Sequence, residues 1–191
     1  SCVALIVTAM SFALRTDAIS AWAAEFHLSY EQVGVINSTA FWGFTLAMIF
    51  GGPLCDAVGM RFIMWVSFFG HLAGILLTVW AWSYWSLFAG TLIFGIANGS
   101  VEAACNPLIA SMYTKDRTTT LNHFHAWFPG GIVIGGLVAF ALSHVGLGWK
   151  VQFMVMLIPL AIYGAMFFRQ PFPVTERVEQ GVSSGSMFGA C

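Results

Sequence analysis

Six apolar runs, each long enough to cross a bilayer, occupy almost all of the chain between residues 3 and 168. They lie at about 3–24, 33–54, 61–82, 86–112, 121–143 and 150–168, and each exceeds the roughly 17 residues that a helix needs to span a hydrocarbon core. Backbone in lipid must satisfy its own hydrogen bonds, so such runs fold as helices. They are too long for transmembrane strands and show no period-two alternation. Composition agrees: 59% of residues are hydrophobic and only 8% charged, against about 25% charged in soluble domains. The expected fold class is an all-α membrane protein whose first partner is the lipid bilayer. A net charge of −1 offers nothing to nucleic acid. Cys2, Cys55, Cys105 and Cys191 have neither metal-ligand nor disulfide-framework spacing and read as small apolar fillers.

Basic residues orient the spans. Arg61 follows span 2, Lys115 and Arg117 follow span 4, and Arg169 and Arg177 follow span 6, all on one side; the opposite loops hold only Lys150. The positive-inside rule makes the first side cytoplasmic, with both chain ends there, most simply at a plasma (inner) membrane. Trp80, Trp82, Trp85 and Trp149 gather at the other boundary, as an interfacial aromatic belt would. The chain turns apolar at once after Ser1, without an initiator Met or a basic leader, so 1–24 reads as a first span and the sequence as a fragment. Residues 169–191, with two prolines, mixed charge and a Gly/Ser run, read as a solvated cytoplasmic linker, its last residues SMFGAC leading towards a further span.

Charge inside a span costs about 2.5–3.5 kcal/mol on insertion scales and so marks a function or a partner. Glu102 lies ten residues before the inner end of span 4 at Met112, about 15 Å along the helix and therefore near the bilayer midplane. Asn98 and Asn106 flank it at i−4 and i+4, making one polar line, and Pro107 follows. A carboxyl in low dielectric favours its neutral form, so it can take up and release a proton near neutral pH. The alternative is a structural carboxyl paired with Arg15 or bonded to an asparagine. In span 1, Thr8, Ser11 and Arg15 share a face, while Asp17 stands about 200° round the helix from Arg15; either charge could face a cavity. In span 5, Asn122, His125 and Pro129 share a face, which makes His125 a cavity candidate or an interfacial histidine. His71 in span 3 stands alone and reads as packing. Asn37, near Phe41 and Trp42, suits either a sugar or a helix–helix hydrogen bond. Gly131 and Gly135 have the GxxxG spacing that lets helices approach closely.

The connection after span 2 reads GPLCDAVGMR, residues 52–61. It resembles the loop signature of the major facilitator superfamily and falls between the right pair of spans. Glycines at 52 and 59 allow a tight connection, and Asp56 and Arg61 can pair with each other or with a neighbouring helix terminus. The resemblance implies a latch on the cytoplasmic gate, made by Gly52, Asp56, Gly59 and Arg61; Ala57 and Phe62 replace residues that are often basic. VEAACNPLIASMY and LNHFHAWFPGGIVIGG further resemble spans 4 and 5 of the fucose-permease-like sugar/proton symporters. That resemblance implies protonation at Glu102, a second key acid at Asp17 if the alignment shifts by about one residue, and a solute contact at His125. It implies six helices arranged as two inverted three-helix repeats, half of a twelve-span fold, the other partner being the missing C-terminal six-span half. The arginine that many proton-driven members carry in span 4 would fall near Thr91 and is absent.

The expected function is secondary active transport of a small polar solute, a monosaccharide on the family analogy, by proton symport and alternating access. A proton gradient takes the place of any cofactor. Arg15, Asn37 and Trp42 are the expected solute contacts in spans 1 and 2, and Asn98, Asn106, His125 and Trp127 those in spans 4 and 5. Proton-coupled antiport of a drug-like molecule is the alternative. An aquaporin-like channel needs two Asn-Pro-Ala half-helices, and this chain has one Asn-Pro followed by Leu108. An intramembrane protease needs Gly-x-Ser-Gly, and Ser100 is followed by Val101. His123 and His125 are too few for a metal. A scaffold has no reason to carry midplane charge.

Overall fold

The computed structural model describes residues 1–181. Among these described residues six helices are long and apolar enough to cross a membrane: span 1 is Cys2–Glu25, span 2 Tyr30–Val58, span 3 Met60–Val79, span 4 Tyr84–Met112, span 5 Arg117–His144 and span 6 Trp149–Phe168. Local chemistry sets their ends. Ser29 and Gln32 form a reciprocal capping box at the start of span 2, and Ser83 and Ser86 form one at the start of span 4. Span 5 is interrupted at Ala126, because Pro129 has no N–H to donate to the His125 carbonyl four residues back. Span 6 is interrupted in the same way at Met156, three residues before Pro159.

The expected loop over 52–61 is far shorter than its composition suggests. Span 2 continues as helix to Val58, and Gly59 alone joins it to span 3 with φ at +87°. Gly59 therefore takes a conformation that suits glycine. Gly52 is inside the helix with open space around its Cβ position, so it has no part in the turn.

The helices pack as crossed pairs, span 2 on span 4 and span 5 on span 1, with span 3 also against span 4. Exchanging spans 1 with 4, 2 with 5 and 3 with 6 turns the first pair into the second, as two inverted three-helix repeats require. Small residues make both crossings. A Cβ on Gly43 would stand 2.6 Å from the Ile96 backbone nitrogen, and one on Gly95 would stand 2.7 Å from the Thr39 carbonyl. On the other crossing, Gly131 faces Ala9 and Gly135 faces Ala13 of span 1. The GxxxG spacing thus acts between spans 5 and 1.

At the tryptophan end, Trp80, Trp82 and Trp85 are exposed, as a belt requires, but Trp149 is buried edge-on against Trp22. Its indole N–H and Lys150 both bind Glu25, which ties span 6 to span 1. At the basic end the linker is not free in solvent as its composition suggests. Thr175 is buried and bonds Asp56, Arg177 pairs with Asp56 at 2.7 Å, and Glu176 of the short helix Glu176–Glu179 pairs with Arg117 at 2.9 Å. Residues 182–191, including the SMFGAC run, lie outside the described residues.

Candidate functional site

Glu102 is half-buried on span 4, with Val101, Ala103, Ala104 and Cys105 buried around it. Its carboxyl lines two clefts. The first, of about 520 Å³, is walled by Phe12 of span 1, Phe41 and Phe44 of span 2, and His125, Phe128, Pro129 and Ile132 of span 5. Phe12 packs its ring against both Phe41 and Phe128, at 5.9 and 5.7 Å. The second cleft, of about 470 Å³, runs between spans 2 and 4 to the basic end. Its walls include Gly52, Cys55, Asp56, Asn106, Pro107 and Ala110, and its mouth is made by Thr175, Glu176 and Arg177. His125 lines the first cleft together with Glu102, and Asn106, one turn further along span 4, lines the second with it.

Arg15 has a different place from the one expected of a solute contact. It is 3% exposed, and its guanidinium donates to the Ile36 carbonyl (2.9 Å), the Thr39 hydroxyl (3.0 Å) and the Thr91 carbonyl (3.2 Å). Thr91 is eleven residues from Glu102 on span 4, about 16 Å of helix, so Arg15 and Glu102 do not pair. The guanidinium reaches from span 1 to the position where the span 4 arginine is missing. Of the two span 1 charges, Asp17 is the exposed one.

Asn98 is likewise buried, away from both clefts. Its amide donates to Ser11 at 2.9 Å, and its oxygen is 2.9 Å from His71 Nε2. With that oxygen as acceptor, Nε2 carries the proton, and His71 Nδ1 accepts from the Tyr163 hydroxyl 2.9 Å away. His71 is therefore not plain packing: it is the middle of a chain of hydrogen bonds through spans 6, 3, 4 and 1, closed where Ser11 donates to the Thr8 carbonyl at 2.6 Å. Thr8, Ser11 and Arg15 do share one face of span 1, but that face is turned into the bundle.

Among the other expected contacts, Asn37 is half-buried one turn from Phe41, while Trp42 and Trp127 are about half exposed and line neither cleft. Asn106 lines the second cleft and not the first. The phenylalanine wall was missed in the sequence, although Phe41 and Phe44 on span 2 fall at i and i+3, and His125, Phe128 and Ile132 on span 5 fall at i, i+3 and i+7. In the gate motif, Asp56 and Arg61 do not pair with each other. Asp56 binds the linker, and Arg61 donates to the Phe168 carbonyl at the end of span 6 at 2.8 Å, the helix-terminus option.

The sequence profile of the Major Facilitator Superfamily matches residues 1–188. The chain is 33% identical over 176 residues to the cis,cis-muconate transport protein of Acinetobacter baylyi, covering 89% of this chain and 41% of that protein. It is 29% identical to the gentisate transporter of Corynebacterium glutamicum, covering 75% of this chain and 33% of that one. It is 28% identical to myo-inositol transporter 1 of Saccharomyces cerevisiae, covering 71% of this chain and 23% of that one. The chain thus spans well under half the length of these relatives. With six membrane-crossing helices in crossed pairs and a profile match along the whole described chain, this protein belongs to the Major Facilitator Superfamily.

Proposed function

We propose that the chain is the N-terminal half of a proton-coupled secondary transporter, basic end in the cytoplasm, that carries a small organic acid into the cell by alternating access. The observation that carries this reading is Glu102, a carboxyl near the midplane in the wall of a phenylalanine-lined cleft. A carboxylate solute entering that cleft meets a like charge. Two unit charges ~5 Å apart at an effective dielectric of about 20 repel by about 3 kcal/mol, more than a hundredfold in affinity. Solute and proton therefore bind best together, which is symport. A cationic drug would instead compete with the proton for Glu102, which is antiport. The cleft wall offers flat apolar rings and two polar side chains, Glu102 and His125. That suits an unsaturated or aromatic acid, in line with the relatives named for muconate and gentisate. A neutral sugar needs more hydrogen-bonding groups than this wall supplies. A monosaccharide or polyol remains the second reading, favoured by the likeness to a myo-inositol transporter.

The test uses the full-length transporter in proteoliposomes with labelled aromatic acids, unsaturated dicarboxylic acids and hexoses, recording uptake and internal pH together. Uptake of an acid with internal acidification, lost in Glu102→Gln while counterflow survives, is the expected result. Hexose uptake alone moves the solute to the second reading, and internal alkalinisation during uptake overturns symport.

A further inference from the structure

Glu102 is the one residue shared by the two clefts, and the second cleft contains no other part of the phenylalanine wall. From Glu102 it descends past polar atoms that the helices leave over. Pro107 has no N–H for the Ala103 carbonyl, which takes the Cys55 thiol instead. Asn106 Oδ1 is buried without a hydrogen-bond partner among the described residues. Ser111 lies further down and Asp56 and Glu176 stand at the mouth, held by Arg177 and Arg117. Glu102 and Ser111 are nine residues apart, so the line covers about 14 Å, the inner half of the membrane. Met48, Pro53 and Ala110 fill the rest of the wall. A cleft of about 470 Å³, with the polar side chains of Glu102, Ser111 and Asp56 along a largely apolar wall and an unpartnered acceptor just behind it, has room for bridging waters.

We infer that the cleft between spans 2 and 4 is the proton's own route between Glu102 and the cytoplasm, separate from the phenylalanine-lined cleft that holds the solute. The inference rests on Glu102 being the coupling carboxyl. The protonated carboxyl gives its proton to a water in the cleft and becomes a carboxylate; the proton moves along hydrogen-bonded waters past Asn106 and Ser111 to the mouth, and no other bond changes. The groups that face Glu102 are His125 from span 5 across the solute cleft and Asn106 on its own helix; Cys55 and Asp56 of span 2 and Glu176 and Arg177 of the linker line the route below it. Proton release then does not need the solute cleft to be open to the same side.

The experiment seals the route without touching the solute wall. Ala110→Leu places bulk in the cleft, and Ala110→Ser leaves it open. In proteoliposomes of the full-length transporter, Ala110→Leu is expected to lower pH-gradient-driven uptake at least tenfold while solute counterflow stays within twofold of wild type, and Ala110→Ser to match wild type in both. Ser111→Leu, further down the same wall and away from Glu102, supplies the same comparison if Ala110→Leu does not fold. Undiminished gradient-driven uptake in sealed protein that folds, or counterflow falling in parallel with it, overturns the separate route. If Glu102→Gln itself retains gradient-driven uptake, the coupling carboxyl is misassigned and the proposed function fails first.

Discussion

At the scale of single residues, the polar groups of this bundle divide into those that hold it together and those that face a cleft, and the two sets should respond differently to substitution. His71→Ala removes a buried ring and leaves the Tyr163 hydroxyl and the Asn98 oxygen unpaired. Cavity and lost hydrogen bonds together should cost about 3–5 kcal/mol, read as a fall in Tm in detergent. Glu102→Gln, half-buried at a cleft wall, should leave Tm close to wild type while abolishing proton coupling. Equal loss of Tm in both would contradict the division. Helical spacing made the polar lines of spans 1 and 4 legible in the sequence. It did not show what each line packs against, so Arg15 and Asn98 read as solute contacts when Arg15 binds spans 2 and 4 and Asn98 binds spans 1 and 3. Periodicity reports which residues share a face; only the neighbouring helix decides whether that face is an interior or a cavity.

At the scale of elements, backbone proximity carries the fold. Gly43→Ala would push a Cβ into the Ile96 backbone, which cannot rotate away as a flexible side chain can. Spans 2 and 4 must separate, and overpacking of this kind costs about 1–3 kcal/mol. Gly136, one residue from the crossing of spans 5 and 1, has open space at its Cβ position, so Gly136→Ala should be nearly silent. Thermal unfolding of the two variants side by side tests this, and similar Tm values for both would sink the close-approach account. Gly59→Ala is a third case, in which a positive φ with extended ψ, and not crowding, sets a cost of about 1–3 kcal/mol. The sequence shows the small-residue spacing at Gly131 and Gly135 but not its partner on span 1, because Ala9 and Ala13 stand out from no background in an apolar helix. The connection after span 2 was overestimated for a related reason: Gly52 and Pro53 look like turn residues, yet a membrane helix tolerates both when its neighbours satisfy the backbone.

At the scale of the whole molecule, the basic end is closed by a strap that composition could not reveal, since prolines and mixed charge look the same docked or free. Residues 170–175 cross beneath the bundle, and three contacts fasten the strap and its anchor. Arg61 holds the end of span 6, Asp56 binds Thr175 and Arg177, and Arg117 binds Glu176. Exposure ranks the two ion pairs. The Asp56 and Arg177 side chains are 18% and 19% exposed, whereas Arg117 and Glu176 are 39% and 46% exposed. Solvent screening leaves the second pair little energy, and the first has a buried hydroxyl as an added partner. Asp56→Ala should therefore loosen the strap by about 1.4 kcal/mol, a tenfold rise in backbone hydrogen exchange over residues 172–180, while Arg117→Ala should change it by about twofold or less. Because Asp56 and Arg177 also form the mouth of the second cleft, a loosened strap widens that mouth. Gradient-driven uptake in Asp56→Ala should then respond to the inner proton concentration even where solute counterflow does not. Equal exchange in Asp56→Ala and wild type would mean that packing of Phe172 against Phe167, and not the carboxylate, holds the strap in place.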